Sequence, residues 1–353
     1  MAEPSVYRVG IIGCGRIADT IEQEVLDAPY WSTTPFSHVS AYAKCARTQV
    51  VAAADPNPAR LAAFGQRNGV ERLYADHRDL LAREDLDIVS ICAPTRYHAP
   101  IALDVAACGV RGIYLEKPIA QSLAEADRMI EAFRAAGIAV AVNHVRTWDP
   151  IYRRVRRLIA DGAIGAPQSV VAHWREGALF GGTHLFDLVR MLLGREARWV
   201  FGQLDPGTGR FDPGARGLIG FEDDVLVHLN LADAQPANCE LDILGTEGRI
   251  RVGNLLYPEL WQVDRSGPRP SLVLRRFPGV TDGRSGMLAA VEELVAAIDT
   301  GARPASDPLD ARRDLEIAVA FHLSARDRRV VDLPVTETDL VIHDPWGREA
   351  ASA

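Results

Sequence analysis

The sequence predicts an α/β chain of two domains. A doubly wound parallel sheet is expected over residues 1–145. An α+β domain with a large, mostly antiparallel, open-faced sheet is expected over residues 146–353. Three observations carry this expectation. A chain of 353 residues is long for a single core. In its first part, short apolar runs alternate with helix-like stretches, the pattern of a parallel sheet covered on both faces. In its second part, runs of alternating apolar and polar residues are separated by turn signals, the pattern of antiparallel strands.

Composition narrows the class. Apolar residues make up 48% of the chain and charged residues 24%, ordinary for a globular protein. A net charge of −8 argues against nucleic acid or acidic membranes as partners. The five cysteines are odd in number and form no CxxC or Cys/His cluster, which predicts a reducing, cytoplasmic setting and no metal site. No apolar run reaches about 18 residues and no basic, then apolar, leader opens the chain, so neither a membrane span nor export is expected.

Residues 9–12 are a short apolar strand that runs straight into Gly13-Cys14-Gly15-Arg16-Ile17-Ala18 and a helix-like stretch over 19–26. In this G-x-G-x-x-A turn, Gly13 permits the tight bend, Gly15 lets backbone approach a pyrophosphate, and Ala18 lets the helix lie close to the sheet. The following helix start offers free N–H groups to an anion. Gly13, Gly15, Arg16 and Ile17 are thus candidate cofactor contacts. A second strand over 50–54 ends in Asp55. An acid there accepts ribose hydroxyls and repels a 2′-phosphate, which favours NAD over NADP. Asp55 follows Gly13 by 42 residues, against the common spacing of about 20. The surplus is the stretch 27–38, rich in proline, threonine and aromatics, read as either a functional lid or a surface insertion.

Further strands are expected over 69–75, 87–92, 112–116 and 138–142, with helices over 38–45, 59–67, 78–82, 100–108 and 123–136. Polar residues gather just after the strand ends: Thr95 and His98 follow Ala93-Pro94, Glu116-Lys117 precede Pro118, and Asn143 closes the last run. Pro118 has no N–H and a fixed φ, so it stops its strand and leaves Lys117 at the carboxyl edge, where open α/β sheets bind ligands. Taken alone, Glu116-Lys117 reads equally well as a solvated ion pair.

Taken together, Gly13-x-Gly15-Arg16-Ile17-Ala18, Asp55, Pro94-Thr95-x-x-His98, Glu116-Lys117-Pro118 and Asn143 resemble the glucose–fructose oxidoreductase, inositol dehydrogenase and MocA family, over nearly the whole chain. The resemblance implies a Rossmann domain. It implies that Lys117 faces both nicotinamide and reacting carbon and that Glu116 lies against the nicotinamide. Ala93, Pro94, Thr95, His98 and Asn143 would line the cofactor cleft, and the Lys117–Pro118 bond would be cis.

In the second half, a helix is expected over 146–158, a strand over 168–174, and a helix over 185–193 stopped by Gly194. Thr183-His184 opens that last helix. A histidine at a helix start is usually structural, but the resemblance implies that this one, in Gly-Thr-His-x-x-Asp, is the active-site histidine. His184 and Asp187 share a helix face, and with no third ligand in the sequence no metal is expected. Many relatives carry an acid four residues before this histidine, or Asn or Asp three before it. Here those positions are Phe180 and Gly181. Seven further strands, a loop over 205–217 and two helices complete the expected domain. Trp31, Trp148 and Trp174 are candidate substrate-pocket residues. The uncovered sheet face would make a homodimer or homotetramer, as in the family.

The expected activity is an NAD-dependent transfer of hydride between a secondary hydroxyl of a sugar, polyol or sugar derivative and nicotinamide C4. Lys117 would act as general acid/base with His184 assisting. Burial and a neighbouring nicotinamide cation would favour the neutral, proton-accepting lysine. Two alternatives stay open at this level: a non-enzymatic cofactor- or sugar-sensing regulator, and a redox-assisted lyase or epimerase.

Overall fold

The computed structural model describes residues 6–26, 34–205, 212–232, 239–254, 256–279 and 284–343. Of the expected insertion over 27–38, residues 27–33, including Trp31, lie outside them.

The first unit opens with β1 (Tyr7–Ile12), α1 (Ile21–Leu26), α2 (His38–Lys44), β2 (Thr48–Ala54), α3 (Pro58–Asn68), β3 (Arg72–Tyr74) and α4 (His77–Arg83). It continues with β4 (Ile88–Ile91), α5 (His98–Ala106), β5 (Gly112–Leu115), α6 (Leu123–Ala136) and β6 (Ala139–Val142). The six strands form one parallel sheet in the order β3-β2-β1-β4-β5-β6. The order reverses beside β1, the point where such sheets take their ligand. Strands β4 and β5 are buried along their whole length, as a sheet covered on both faces requires. Local chemistry sets the helix ends: Ser122 Oγ accepts the Glu125 N–H at the start of α6, and Gly137 ends it in the left-handed region.

The second unit starts with α7 (Pro150–Ala160), β7 (Pro167–Trp174), α8 (Gly182–Leu193), β8 (Ala197–Leu204), β9 (Ala215–Phe221) and β10 (Leu226–Leu231). Next come β11 (Glu240–Gly245), β12 (Gly248–Gly253), β13 (Leu256–Asp264) and β14 (Ser271–Arg275). Along the chain α9 (Gly286–Thr300), which belongs to the first unit, is followed by α10 (Pro308–Asp327) and β15 (Val331–Asp332). Its sheet has nine strands, β14-β13-β12-β11-β7-β10-β9-β8-β15. Every pair is antiparallel except β7 with β10. Along β7, buried Val170, Ala172 and Trp174 alternate with more exposed neighbours, so one face meets a core. α8 lies on that face, held by stacking of Phe186 on Phe321 at 6.0 Å and by Arg190 pairing with buried Asp314 at 2.9 Å. The other face exposes Val171, Phe201, Leu244, Leu272 and Leu274.

The division between units differs from a single crossing at residue 145. The first unit runs to Asp149 and takes back Arg284–Arg312. α9 is the reason. Its buried side, with Met287, Val291 and Leu294, packs on β5, β6 and α2, and the Val142 N–H donates to Ser306 O at 2.9 Å beyond it. Among the described residues no helix is long and apolar enough to cross a membrane.

Candidate active site

In the first unit, the carboxyl ends of β1, β2, β4, β5 and β6 bring the expected residues to one sheet edge. Gly13 has φ +90°, and a Cβ there would lie 2.8 Å from the Ala93 nitrogen. Only glycine fits where this loop presses on the end of β4. A Cβ on Gly15 would meet nothing within 4 Å, so this part of the loop faces open space. The Gly15, Arg16 and Ile17 N–H groups find no protein acceptor among the described residues. Free donors beside open space fit the pyrophosphate of a dinucleotide. The Arg16 guanidinium turns away to Glu24, at 2.7 Å. The regular helix begins only at Ile21, two residues later than expected.

Asp55 is buried at the end of β2. Its carboxylate accepts the Cys14 N–H at 2.9 Å and the Asn57 N–H at 2.8 Å, and Arg60 Nη1 lies 3.3 Å away. It therefore ties the glycine loop to β2, a role the sequence reading did not include. Three donors leave about one of its four lone-pair directions for a ribose hydroxyl.

Buried Thr95 starts a 3-10 turn (Thr95–Tyr97) after Ala93 and exposed Pro94. His98 departs from the expected role of lining a cleft. It is 1% exposed, with Nδ1 2.8 Å from Pro118 O and Nε2 2.8 Å from Ala93 O. Burial outweighs these carbonyl contacts and holds the ring below its ordinary pKa. The neutral imidazole donates to one carbonyl at a time. Its ring nitrogens are spent on strapping the ends of β4 and β5 together.

Lys117 is buried and joined to Pro118 by a cis bond, as the resemblance implies. Beside it, Glu116 is the centre of a polar cluster. Its Oε1 accepts from Asn143 Nδ2 at 2.6 Å and lies 2.8 Å from His38 Nε2, while Oε2 accepts the Lys117 N–H at 3.2 Å. Asn143 Oδ1 in turn accepts the Tyr114 hydroxyl at 2.7 Å, so the amide is oriented by both partners. Burial pushes the Glu116 carboxyl up. The hydrogen bond and charge of His38, then the Asn143 hydrogen bond and the Lys117 charge, outweigh it and hold the group below the usual carboxylate range. Burial and that negative charge drive the Tyr114 hydroxyl and the Cys92 thiol well above their ordinary values. Both stay neutral, and Glu116 is the anion of the cluster.

His38 was not among the expected site residues. It opens α2, whose entry is set by Glu22 accepting the Phe36 and Ser37 N–H groups at 2.7 and 2.9 Å and by Ser37 capping Ser40. The only signal in the chain was a histidine at a helix start, which does not name its partner 78 residues away.

Trp148 corrects another expectation. It is 1% exposed and belongs to the first unit's core with Tyr114 and Met287. The 3-10 turn Val145–Trp148 carries the indole inward, leaving it no face for a substrate.

In the second unit, His184 lies in the first turn of α8, after buried Thr183. Its ring stacks on Trp174, the last residue of β7, at 5.7 Å and 18°. The turn before it is held by Asp212, whose two oxygens accept the Leu179 and Phe180 N–H groups at 2.8 and 2.7 Å. A Cβ at Gly181 would lie 2.8 Å from both Trp174 Nε1 and Glu176 Cβ. A glycine at this position is thus required by the Trp174 indole. Asp187 is buried on the same helix.

Both parts of the chain are similar to known proteins. The model of the oxidoreductase family with an NAD-binding Rossmann fold (GFO_IDH_MocA) matches residues 7–144, and that of the GFO/IDH/MocA C-terminal domain matches residues 152–251. D-apiose dehydrogenase of Paraburkholderia graminis is 27% identical over 338 residues, covering 86% of this chain and 88% of that protein. Myo-inositol 2-dehydrogenase of Thermotoga maritima is 25% identical over 360 residues, covering 92% and 98%. The crystal structure of aldose–aldose oxidoreductase from Caulobacter crescentus superposes with a TM-score of 0.78 at 19% identity, over 93% of this chain and 100% of that one. With both domain models matched in order and the glycine loop, Asp55, Glu116-Lys117 and Asn143 on one sheet edge, the chain belongs to the GFO/IDH/MocA family of NAD-binding oxidoreductases.

Proposed function

We propose that the protein transfers hydride between a secondary hydroxyl of a sugar or polyol and NAD, with Lys117 as general acid/base and His184 assisting at the substrate. The observation that supports this most directly is the buried Glu116-Lys117 pair on the sheet edge that also carries the glycine loop. Gly15, Arg16 and Ile17 N–H groups would hold the pyrophosphate and Asp55 the adenosine ribose, with Thr95, Glu116 and Asn143 at the nicotinamide end. NAD bound there supplies the hydride acceptor. Lys117 takes the proton of the substrate hydroxyl during oxidation and returns it during reduction. Glu116, held as a carboxylate, offsets the positive charge that gathers around it. The names of the curated relatives, D-apiose dehydrogenase and myo-inositol 2-dehydrogenase, support a polyhydroxylated substrate. Phe180, Gly181, Trp174 and Thr183 give this chain its own surroundings for His184. The five free cysteines fit a reducing cytoplasm.

The apolar row Val171, Phe201, Leu244 on the second sheet supports a homodimer or homotetramer formed through that face. Sedimentation of Phe201→Asp as a monomer, against a larger wild type, is the expected result.

An absorbance screen at the NADH wavelength, run across pentoses, hexoses and inositols with NAD and NADP in parallel, tests the activity. Lys117→Ala is expected to lose at least a thousandfold in kcat while its NAD affinity stays within a few-fold. Near-normal turnover in that variant overturns the assigned role.

A further inference from the structure

We propose that His38 is a positioning residue that holds Glu116 as an anion at the reacting edge, and so makes the site prefer the oxidised, cationic nicotinamide over the reduced, neutral one. The inference rests on the reading above that NAD lies on this edge, and it assigns a role to a residue outside the motifs.

The geometry is specific. His38 is fully buried, with Nε2 2.8 Å from Glu116 Oε1 and Nδ1 2.6 Å from Ser90 Oγ. A carboxylate only accepts, so Nε2 must carry a proton. The Ser90 hydroxyl, which also receives the Tyr42 hydroxyl at 3.4 Å, holds the ring at Nδ1. The imidazole packs against the Tyr114 ring at 4.5 Å. It is therefore fixed on three sides, by Ser90, Tyr114 and Glu116, and among the described residues its only ionised contact is Glu116.

A buried carboxylate without donors takes up a proton instead of remaining charged. Three groups oppose that at Glu116: the Lys117 N–H, which is backbone, Asn143, whose amide also holds Tyr114, and His38. Among the opposing influences the contribution of His38 is the largest. Oxidised nicotinamide carries one positive charge that the reduced ring lacks. A negative Glu116 therefore discriminates the two redox states, and a neutral one does not. A ligand shifts an equilibrium only by its differential interaction with the two states, and this contact is differential in charge.

The test measures dissociation constants for NAD and NADH by fluorescence titration on the full-length protein. Wild type is compared with His38→Leu, His38→Asn, His38→Gln and each change combined with Glu116→Gln. Loss of the donor in His38→Leu is expected to weaken NAD about tenfold more than NADH, which corresponds to about 30 mV in the bound two-electron couple. His38→Asn, too short to reach Glu116 yet still polar, is expected to show the same ratio change and carries the test if the leucine variant does not fold. His38→Gln is expected to recover most of the ratio. In the Glu116→Gln background the His38 changes are expected to leave the ratio alone. An equal loss for both cofactors, or the same ratio change without Glu116, overturns the inference while leaving cofactor binding intact. Failure of the wild type to bind either nucleotide overturns the underlying reading as well.

Discussion

Asp212 Oδ2 accepts the Phe180 N–H at 2.7 Å, and the same carboxylate takes the Leu179 N–H at 2.8 Å. A side chain from the loop read only as a linker thus holds the turn that presents His184. Asp212→Ala leaves two backbone donors unpaired. Each unmade bond costs about 1–3 kcal/mol, so the urea midpoint is expected to fall with an unchanged slope. Asp212→Asn keeps one acceptor and is expected to lose about half as much. Because the turn sets the angle at which α8 begins, kcat is expected to fall in both variants at temperatures where they remain folded.

Placing an acid near this histidine, where the resemblance to the family implied one, is expected to harm the protein. At Gly181 the first added carbon already meets the Trp174 indole and Glu176. The indole cannot yield cheaply, since it is buried and stacked on His184. Gly181→Asp is expected to cost about 1–3 kcal/mol through overpacking and to lower kcat as the stack is disturbed. An increase in kcat would show instead that the indole moves and that His184 lacks an acid.

The strand ends were legible because glycine and proline punctuate them: Gly13 closes β1, and Pro118 closes the run through Glu116-Lys117. The same punctuation located Asp55 and Asn143, whose places follow from counting strands. What escaped was contact across the fold. The pairing of His38 with Glu116 depends on how α2 lies against the sheet, and no spacing rule carries that. α9 has one apolar side whichever unit it joins, so its return to the first unit was not readable. Trp148 was expected at the substrate because an indole suits either a pocket or a core, and the 3-10 turn that points it inward is set by backbone. Asp212 sits in a Gly- and Pro-rich stretch whose composition conceals a buried carboxylate.

Asp55 and Arg60 are together expected to set cofactor choice. Arg60 Nη1 lies 3.3 Å from Asp55 Oδ2, and its side chain is half exposed beside the buried carboxylate. While the carboxylate is present it repels a 2′-phosphate and occupies the guanidinium. Asp55→Ser removes both obstacles. The ratio of kcat/KM for NADP over NAD is expected to rise by at least a hundredfold, partly through weaker NAD use, because Cys14 N loses its acceptor. Adding Arg60→Ala is expected to reverse most of the NADP gain. A ratio unmoved by Asp55→Ser would place the ribose elsewhere.

His322 makes the second unit sensitive to acid. Burial pushes its imidazole down from 6.5 to about 4, and its Nε2 has no hydrogen-bond partner among the described residues. The unfolded chain takes up this proton near pH 6.5, and the folded chain only near pH 4. Between those values the unfolded state binds more protons, so stability rises with pH across the window and is lost as pH falls through it. A separation of that size corresponds to about 3 kcal/mol of stability, fully present above pH 6.5 and fully lost below pH 4. His322→Phe fills the same space without a titrating group. Its denaturation free energy is expected to fall less steeply than wild type between pH 6.5 and 4, and to run parallel to wild type above pH 7. Parallel curves through the whole range would show that the histidine is hydrated or paired in solution.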